Sequence, residues 1–217
     1  MFKNYTAYGI IGTELSNIIL IGDNMGIAEK ILNIGNTKSS KPQYVINIEN
    51  EIWLAFAREI LHWNDRDIYV VSFFVDFDLD NQKDVRLHFG YNTESQYKHE
   101  QCYDIDNETI RWNYNFWLQN ETFCFGEDDI TDGLIKYWIK QEKLTEENTV
   151  EELVKKIVCA VREIHKCGIL KKKFGSELPI IIHTKNYYEG IAAVNIDANG
   201  EYLNPGFVEY CLRDFEE

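Results

Sequence analysis

Apolar side chains recur along this chain at two spacings, one typical of strands and one typical of helices. The run Ile68–Phe77 is almost wholly β-branched or aromatic, which predicts a strand covered on both faces. In residues 85–91, apolar side chains alternate with Arg86 and His88, as in a strand with one wetter face. The linking residues 78–84 have the composition of a hairpin loop, so we expect the two strands to pair antiparallel.

Three longer segments place apolar residues three and four positions apart, which indicates helices with one buried stripe. These segments are residues 49–63, 128–140 and 149–167. In the last segment, Thr149 is the predicted N-cap because Glu152 follows it at capping-box spacing, and Gly168 is the predicted stop.

Shorter signals complete the prediction. Residues 178–183 indicate a strand, and Asn204-Pro205 predicts the start of a last helix that runs to about Phe215. The basic run Lys171–Lys173 is interpreted as a solvated loop. Near the N-terminus, the expected elements are a strand at 17–22, a helix at 25–34 and a loop at 36–42.

Adjacent strands together with clustered helices predict an α+β fold. We expect one domain over residues 1–217, with a mixed or antiparallel central sheet flanked by helices and with residues 1–48 as a candidate N-terminal subregion. A chain of this length can bury a substantial core, and its hydrophobic content of 45% argues against disorder.

The charge balance narrows the classes of partner. With 22 basic and 36 acidic residues, the formal net charge is −14, which opposes binding to nucleic acid and favours encounter with a cationic partner. The alternative is that the negative charge serves only to keep the protein soluble. The five cysteines are odd in number and none has C-x-x-C spacing, so we expect reduced thiols. The first residues do not resemble a signal peptide, and the apolar runs are too short to span a bilayer. We therefore expect a cytoplasmic protein with no membrane partner.

The segment Glu100–Asp132 holds nine acidic residues against the single cation Arg111, a local charge of −8, and several large aromatics lie among them. Acids around aromatics favour a surface that binds a basic protein, since Trp, Tyr and Arg dominate binding hot spots. The alternative for the tryptophans is core packing. The candidate partner-binding residues are Asp104, Asp106, Glu108, Arg111, Trp112, Trp117, Glu127, Asp128 and Asp129.

Other motifs match the patterns of known functional sites only in part. Residues 76–87 begin like a calcium loop, but Asn81 and Leu87 stand where that loop needs Gly and Glu, so an acidic hairpin is favoured. Gly22–Gly26 lacks the Lys-Ser/Thr pair of a phosphate loop. No cysteine has a nucleophile signature or zinc spacing, and Cys159 is expected in the core. We therefore assign no catalytic residue, no metal and no cofactor.

Three motifs occur in an order that resembles a bacterial domain-of-unknown-function family, the 4303 type: the strand 68–75, the Asn-Thr-Glu element within 90–94, and Arg111-Trp112 followed by Trp117. Asn204-Pro205 before a terminal helix also fits the resemblance, which covers residues 50–215. It implies no catalytic mechanism. More loosely, the size, acidity and α+β character are similar to immunity proteins that neutralise bacterial toxins.

We therefore expect a non-enzymatic acidic protein-binding domain, an immunity protein that covers a basic toxin domain, because complementary charge speeds and selects such an encounter. Two alternatives stay open. One is a hydrolase-like enzyme with dispersed carboxylates, which a deep pocket holding two acids would favour. The other is a housekeeping structural domain without a dedicated partner surface. The sequence does not specify the oligomeric state.

Overall fold

The apolar run that begins at Ile68 forms the backbone of a four-stranded mixed sheet. In the computed structural model, β1 (Ile68–Phe77) pairs antiparallel with β2 (Val85–Thr93) and parallel with β4 (Ile180–Thr184). The remaining strand, β3 (Gln119–Phe125), pairs antiparallel with β2. The strand order is therefore β3-β2-β1-β4, with β3 and β4 at the two edges.

The structure describes residues 45–101, 105–184 and 190–213, and all of them belong to one compact unit. Within these ranges the helices are α1 (Ile48–Glu59), α2 (Glu94–Glu100), α3 (Asn107–Trp112), α4 (Asp129–Glu142), α5 (Glu146–Cys167), α6 (Ile169–Phe174), α7 (Ile191–Asn199) and α8 (Pro205–Cys211). Two 3₁₀ turns lie at Tyr114–Phe116 and Gly200–Tyr202. The predicted α+β class is confirmed.

One face of the sheet is filled by aromatic and branched side chains, because alternate strand residues point to the same side. Phe73 and Phe89 face each other across β1 and β2. Phe56 of α1 packs on both, with ring centroids 5.0 and 5.5 Å away. The long helix α5 packs against α1, β1 and β4 and presents the stripe that includes Ile157 and Val161. This face holds the larger part of the core.

The opposite face carries a second buried cluster formed by Val70, Trp112, Trp117, Ile181, Phe207 and Tyr210. Its covering elements are α3, the 3₁₀ turn at 114–116 and α8. Trp112 meets Phe207 of α8 edge to face, with ring centroids 5.8 Å apart. These covering elements do not extend over the whole face, and a cleft remains beside Tyr114.

Most element boundaries agree with the sequence pattern, and two predictions are wrong. Helix α5 begins one turn before Thr149, because Thr145 and Asn148 form the capping box, while Thr149 is buried and donates its hydroxyl to the Thr145 carbonyl. The run Lys171–Lys173 lies in helix α6 and not in a loop. Gly168 ends α5 at φ 61°, as predicted.

Other expected elements cannot be compared with the structure. The strand at 17–22, the helix at 25–34 and the loop at 36–42 lie outside the described residues. The last helix begins at Asn204-Pro205 as predicted, but its helical residues end at Cys211, before the expected end near Phe215, which also lies outside the described residues.

Candidate functional site

Acidic side chains from two separate segments meet at one end of the sheet. The β1–β2 hairpin loop, residues 78–84, precedes β2, and residues 127–132 follow β3, whose last residue Phe125 lies opposite Leu87 near the start of β2. Gly126 then passes close to the backbone of Val85 and Arg86, which brings the two segments together. We call residues 78–84 and 127–132 the acidic end.

The acidic end has seven carboxylates and one cation, Lys83, within its own residues; the acids are Asp78, Asp80, Asp84, Glu127, Asp128, Asp129 and Asp132. Asp84 pairs with Arg86 at 3.5 Å, and Asp132 with Lys136 at 2.7 Å. The other five make no ion pair within the part of the chain that the structure describes. Two apolar side chains are exposed among them, Leu79 at 74% and Ile130 at 56%.

Asp128 has a structural task besides its charge. It is the N-cap of α4, and its carboxylate accepts hydrogen bonds from the backbone N–H groups of Ile130 and Thr131 and from the Thr131 hydroxyl. Burial by itself would raise the pKa of Asp128, but these hydrogen bonds outweigh it and lower the pKa. Asp128 therefore belongs to the acidic end and also fixes the start of the helix.

Three other predicted partner-binding residues lie elsewhere. Asp106 caps α3 and pairs with Arg213 at 2.7 Å, and Glu108 accepts a hydrogen bond from the Trp112 indole at 2.8 Å. Arg111 pairs with Glu94, which directly follows β2. The nine residues of β2 separate Glu94 from the hairpin, about 30 Å at roughly 3.3 Å per strand residue. The described acids of the segment 100–132 therefore do not form one surface.

The two tryptophans proposed as partner anchors are buried. Trp112 is 1% exposed and Trp117 is 2% exposed, and both belong to the second core cluster. The Trp117 indole donates to the Arg111 carbonyl at 3.1 Å. A surface role required exposure, so the core alternative is correct for both residues. Asp104 lies outside the described residues.

A cleft of about 320 Å³ opens on the second face, next to the acidic end. The strand register places His183 of β4, Phe74 of β1 and His88 of β2 side by side across the sheet, and these residues form the floor of the cleft. Tyr114 from the 3₁₀ turn stacks on Phe74, with ring centroids 4.3 Å apart and planes 14° apart. We call this the sheet cleft; its walls include Phe74, Asp76, His88, Tyr114, Glu121 and His183.

Glu121 joins the polar groups of the sheet cleft. It accepts a hydrogen bond from the Tyr114 hydroxyl at 3.0 Å, and its other oxygen lies 3.5 Å from His88 Nδ1. Asp76 borders both the sheet cleft and the hollow of the hairpin loop at the acidic end. The two surfaces are therefore continuous, and carboxylates lie on both.

Three groups in or beside the sheet cleft have pKa values shifted away from neutrality. Burial, followed by the negative charge of Glu127, raises the pKa of the Cys124 thiol to about 11. Burial and the bond to Glu121 raise the pKa of Tyr114, and complete burial lowers the pKa of His183 to about 3. A general acid or base works best with a pKa near the working pH, so these three groups are poorly suited to proton transfer at neutral pH.

The thiol–imidazole pair in the sheet cleft also differs from an activated nucleophile. Cys124 Sγ lies 3.8 Å from His88 Nε2, a juxtaposition that sequence spacing could not show. An activated cysteine has a lowered pKa, whereas the pKa of Cys124 is raised. Cys159, expected in the core, is exposed instead, on the outer side of α5.

Among the described residues, no group of three or more His, Cys, Asp or Glu side chains is arranged to hold a metal ion. In the same residues, no helix has the length and apolar character needed to cross a bilayer.

No family model, curated protein or solved structure matches this chain. The family resemblance drawn from the sequence motifs therefore stays a prediction, and the function has to be argued from the geometry.

Proposed function

We propose that this chain is a non-enzymatic binding domain that contacts a basic protein through its acidic end, and that it acts as an immunity protein by covering a basic toxin domain. One observation supports this most. Two segments remote in sequence bring seven carboxylates to one end of the sheet, where only Asp84 and Asp132 form ion pairs with described residues.

The composition of the acidic end suits a protein partner. Exposed carboxylates steer a cationic surface towards this end, and the net charge of −14 adds to the long-range attraction. Leu79 and Ile130 supply exposed apolar area, which turns an encounter into a contact that excludes water. Asp78, Asp80 and Asp129 lie at the rim of such a contact, where charge acts mainly on the association rate.

The test compares two triple variants that remove the same charge. The first, Asp80→Asn with Glu127→Gln and Asp129→Asn, removes three of the seven carboxylates of the acidic end. The control, Glu147→Gln with Glu201→Gln and Glu209→Gln, changes three exposed acids outside it. Each set also removes one acid from the first turn of a long helix, so stability effects are matched.

The measurement is the association rate with a basic protein captured by the wild type, recorded between low and high salt. We expect the acidic-end variant to associate about tenfold more slowly at low salt and with a flatter salt dependence, and the control to behave as the wild type. An equal decrease of the association rate in both variants would show that net charge alone accounts for the effect. An unchanged rate in both variants would contradict a role of the acidic end.

A further inference from the structure

We infer that the outer edge of β3 pairs with an extended basic segment of the partner, which thereby adds a strand to the sheet. This inference rests on the proposed function, because it describes how the same basic partner is held next to the acidic end. In strand addition, backbone hydrogen bonds supply affinity and alternate side chains supply specificity.

The two edges of the sheet differ. Strand β4 is buried along most of its length, and Asn195 and Asn199 of α7 bond to its outer backbone groups. Strand β3, in contrast, is half-buried or exposed at every residue except Phe125. The described residues close the β3 edge only beyond its end, where the Gly126 N–H donates to the Thr131 hydroxyl at 2.9 Å.

The backbone of β1 sets the direction of the hydrogen bonds across the sheet. The Val71 N–H donates to the Pro179 carbonyl, directly before β4, at 2.9 Å. Successive residues of a strand direct their backbone groups to opposite edges. Phe74 therefore points to β2, where it pairs with His88, and Phe89, the next residue of β2, points to β3.

Three backbone groups of β3 consequently point away from the sheet. Phe89 pairs with Phe123, and its carbonyl also accepts from the Thr122 hydroxyl at 3.2 Å, so the backbone groups of Phe123 face β2. The alternation directs the N–H and the carbonyl of Cys124, together with the carbonyl of Thr122, to the outer edge. Within the described ranges, none of these three groups bonds to a helix or loop.

Charge decides between the possible occupants of this edge. Residues 119–132 carry five acids and no Lys or Arg. Glu121 is exposed on β3, and Glu127 follows Cys124 by three residues, at most about 10 Å at roughly 3.3 Å per strand residue. A second copy would bring like charges together across the edge, which is destabilising. A basic strand is attracted by the same acids.

The faces of β3 define the side-chain pattern of the occupant, because paired strands place neighbouring side chains on the same face. Cys124 lies 3.8 Å from His88, on the face of the sheet cleft that also carries Glu121. Phe123 stacks on Phe89 on the opposite face, with ring centroids 5.6 Å apart. A basic side chain suits the first face and an apolar one the second, so the segment should alternate between them.

The experiment uses the whole chain and four capped peptides. The probe is Ac-Lys-Val-Lys-Val-Lys-Val-NH₂, and a second peptide has Glu in place of Lys. The other two keep the probe's side chains and carry backbone N-methyl groups, on the three lysines in one and on the three valines in the other. Because a strand presents only alternate N–H groups to its neighbour, one of these two peptides keeps the groups that face β3.

Amide hydrogen exchange, followed by NMR, reports on the edge directly. In the free chain, the Cys124 N–H should exchange rapidly, whereas the Phe123 and Phe125 N–H groups, which face β2, should exchange slowly. We expect the probe to slow exchange at Cys124 at least tenfold and the Glu peptide to leave it unchanged. One N-methylated peptide should act as the probe does and the other should have no effect, and the active one identifies the direction of the added strand.

Four results would overturn the strand addition. Slow exchange of the Cys124 N–H in the free chain would show that the edge is already covered, and protection that rises with chain concentration would indicate pairing between copies. Absence of protection by the probe would refute binding at the edge. Equal action of the two N-methylated peptides would show that charge alone holds the probe.

The same measurements separate this inference from the proposed function. If the acidic-end variant loses its association rate with a basic protein while the probe leaves Cys124 unprotected, the strand addition alone is refuted. If the probe protects Cys124 while the acidic-end variant keeps its association rate, the proposed role of the acidic end alone is refuted.

Discussion

Asn195 binds both backbone polar groups of Ile182: its Oδ1 accepts from the Ile182 N–H at 2.7 Å, and its Nδ2 donates to the Ile182 carbonyl at 3.0 Å. Asn199 does the same for Ile180, at 2.7 and 2.8 Å. Four residues of helix advance about 6.0 Å and two residues of strand about 6.6 Å, so the two repeats match. Helix α7 thus closes the edge of β4 in the place of a further strand.

This relationship predicts a large stability effect at Asn195. Asn195→Ala removes the two hydrogen bonds to buried Ile182, whose N–H and carbonyl lose these partners, and also the bond from Asn195 Nδ2 to the Ile191 carbonyl, so the free energy of unfolding should fall by about 3 kcal/mol. Asn195→Asp keeps the volume but places a carboxylate against the Ile182 carbonyl, and it should cost at least as much. Urea denaturation measures both.

Ile196→Ala is the matched control, since it lies on the same helix with 49% of its side chain exposed. It should change the free energy of unfolding by less than about 0.5 kcal/mol. A cost at Asn195 no greater than that at Ile196 would show that water satisfies the edge of β4 equally well.

The sequence pattern could predict the elements whose burial is periodic. The central strand Ile68–Phe77 and the stripe of α5 follow from apolar spacing alone. The edge strand β3 was not predicted, because most of its residues are half-buried without a clear alternation and its aromatics resemble a binding surface as much as a strand. Helix α7 was not predicted either, since Asn195 and Asn199 are weak helix formers whose value lies in contacts with β4.

The candidate site was predictable only in part, for a similar reason. Local charge density pointed to Glu127, Asp128 and Asp129, which do lie at the acidic end. It could not show that Asp78 and Asp80 join them, because strand pairing brings those segments together. Nor could it show that neighbouring acids such as Asp106 and Glu108 are occupied by helix capping and by an indole.

A second prediction concerns His183 and acid. Its pKa is about 3 in the folded chain and near 6.5 when exposed, so between these values the unfolded state binds the extra proton. His183 therefore does not reduce the free energy of unfolding above pH 6.5. As the pH falls from 6.5 towards 3, the free energy of unfolding decreases by up to about 1.4 kcal/mol per pH unit. Replacing the ring removes this dependence.

Urea denaturation from pH 7.5 to 4.5 measures the effect. His183→Gln should lower stability at pH 7.5, and its difference from the wild type should shrink steadily below pH 6.5. The control His62→Gln changes an exposed ring and should keep the wild-type slope. If the difference in the free energy of unfolding between wild type and His183→Gln stayed constant across this range, His183 would take up its proton equally well in the folded and unfolded states, which would contradict the prediction.

A third prediction separates core from surface in the aromatic segment. Trp117→Ala should lower the free energy of unfolding by about 3–5 kcal/mol, because it empties a buried site and removes the bond to the Arg111 carbonyl. Its neighbour Leu118 is 69% exposed, and Leu118→Ala should cost less than about 0.5 kcal/mol. A similar loss in the free energy of unfolding at the two positions would indicate that Trp117 lies at the surface.

A fourth prediction uses thiol alkylation. With its pKa raised from 9.0 to about 11, Cys124 at pH 8 has a thiolate fraction lower by about a hundredfold than an ordinary cysteine. Mass spectrometry should find Cys124 and Cys211, whose pKa is raised to about 12 by burial, alkylated far more slowly than exposed Cys159. Fast labelling of Cys124 would instead indicate an activated thiol beside His88 and would favour an enzyme.

The last prediction divides the two roles at the start of α4. Asp128→Ala removes the N-cap and should lower the free energy of unfolding by about 1 kcal/mol, whereas Asp128→Asn keeps a capping oxygen and should cost less. The pKa of Asp128 lies below its ordinary value of 3.8 in the folded state. The stability advantage of the wild type over the Asp128→Asn variant is therefore present above pH 3.8 and should vanish as the pH falls through the folded pKa.

Asp129 supplies the comparison, because it is exposed, carries the same charge and does not cap the helix. Asp129→Asn and Asp128→Asn each remove one negative charge, so each should slow association with a basic partner by a similar factor. Only Asp128→Ala should also reduce stability by the amount of a lost cap. If Asp129→Ala proved as destabilising as Asp128→Ala, charge at the helix N-terminus and not the cap would be what stabilises α4.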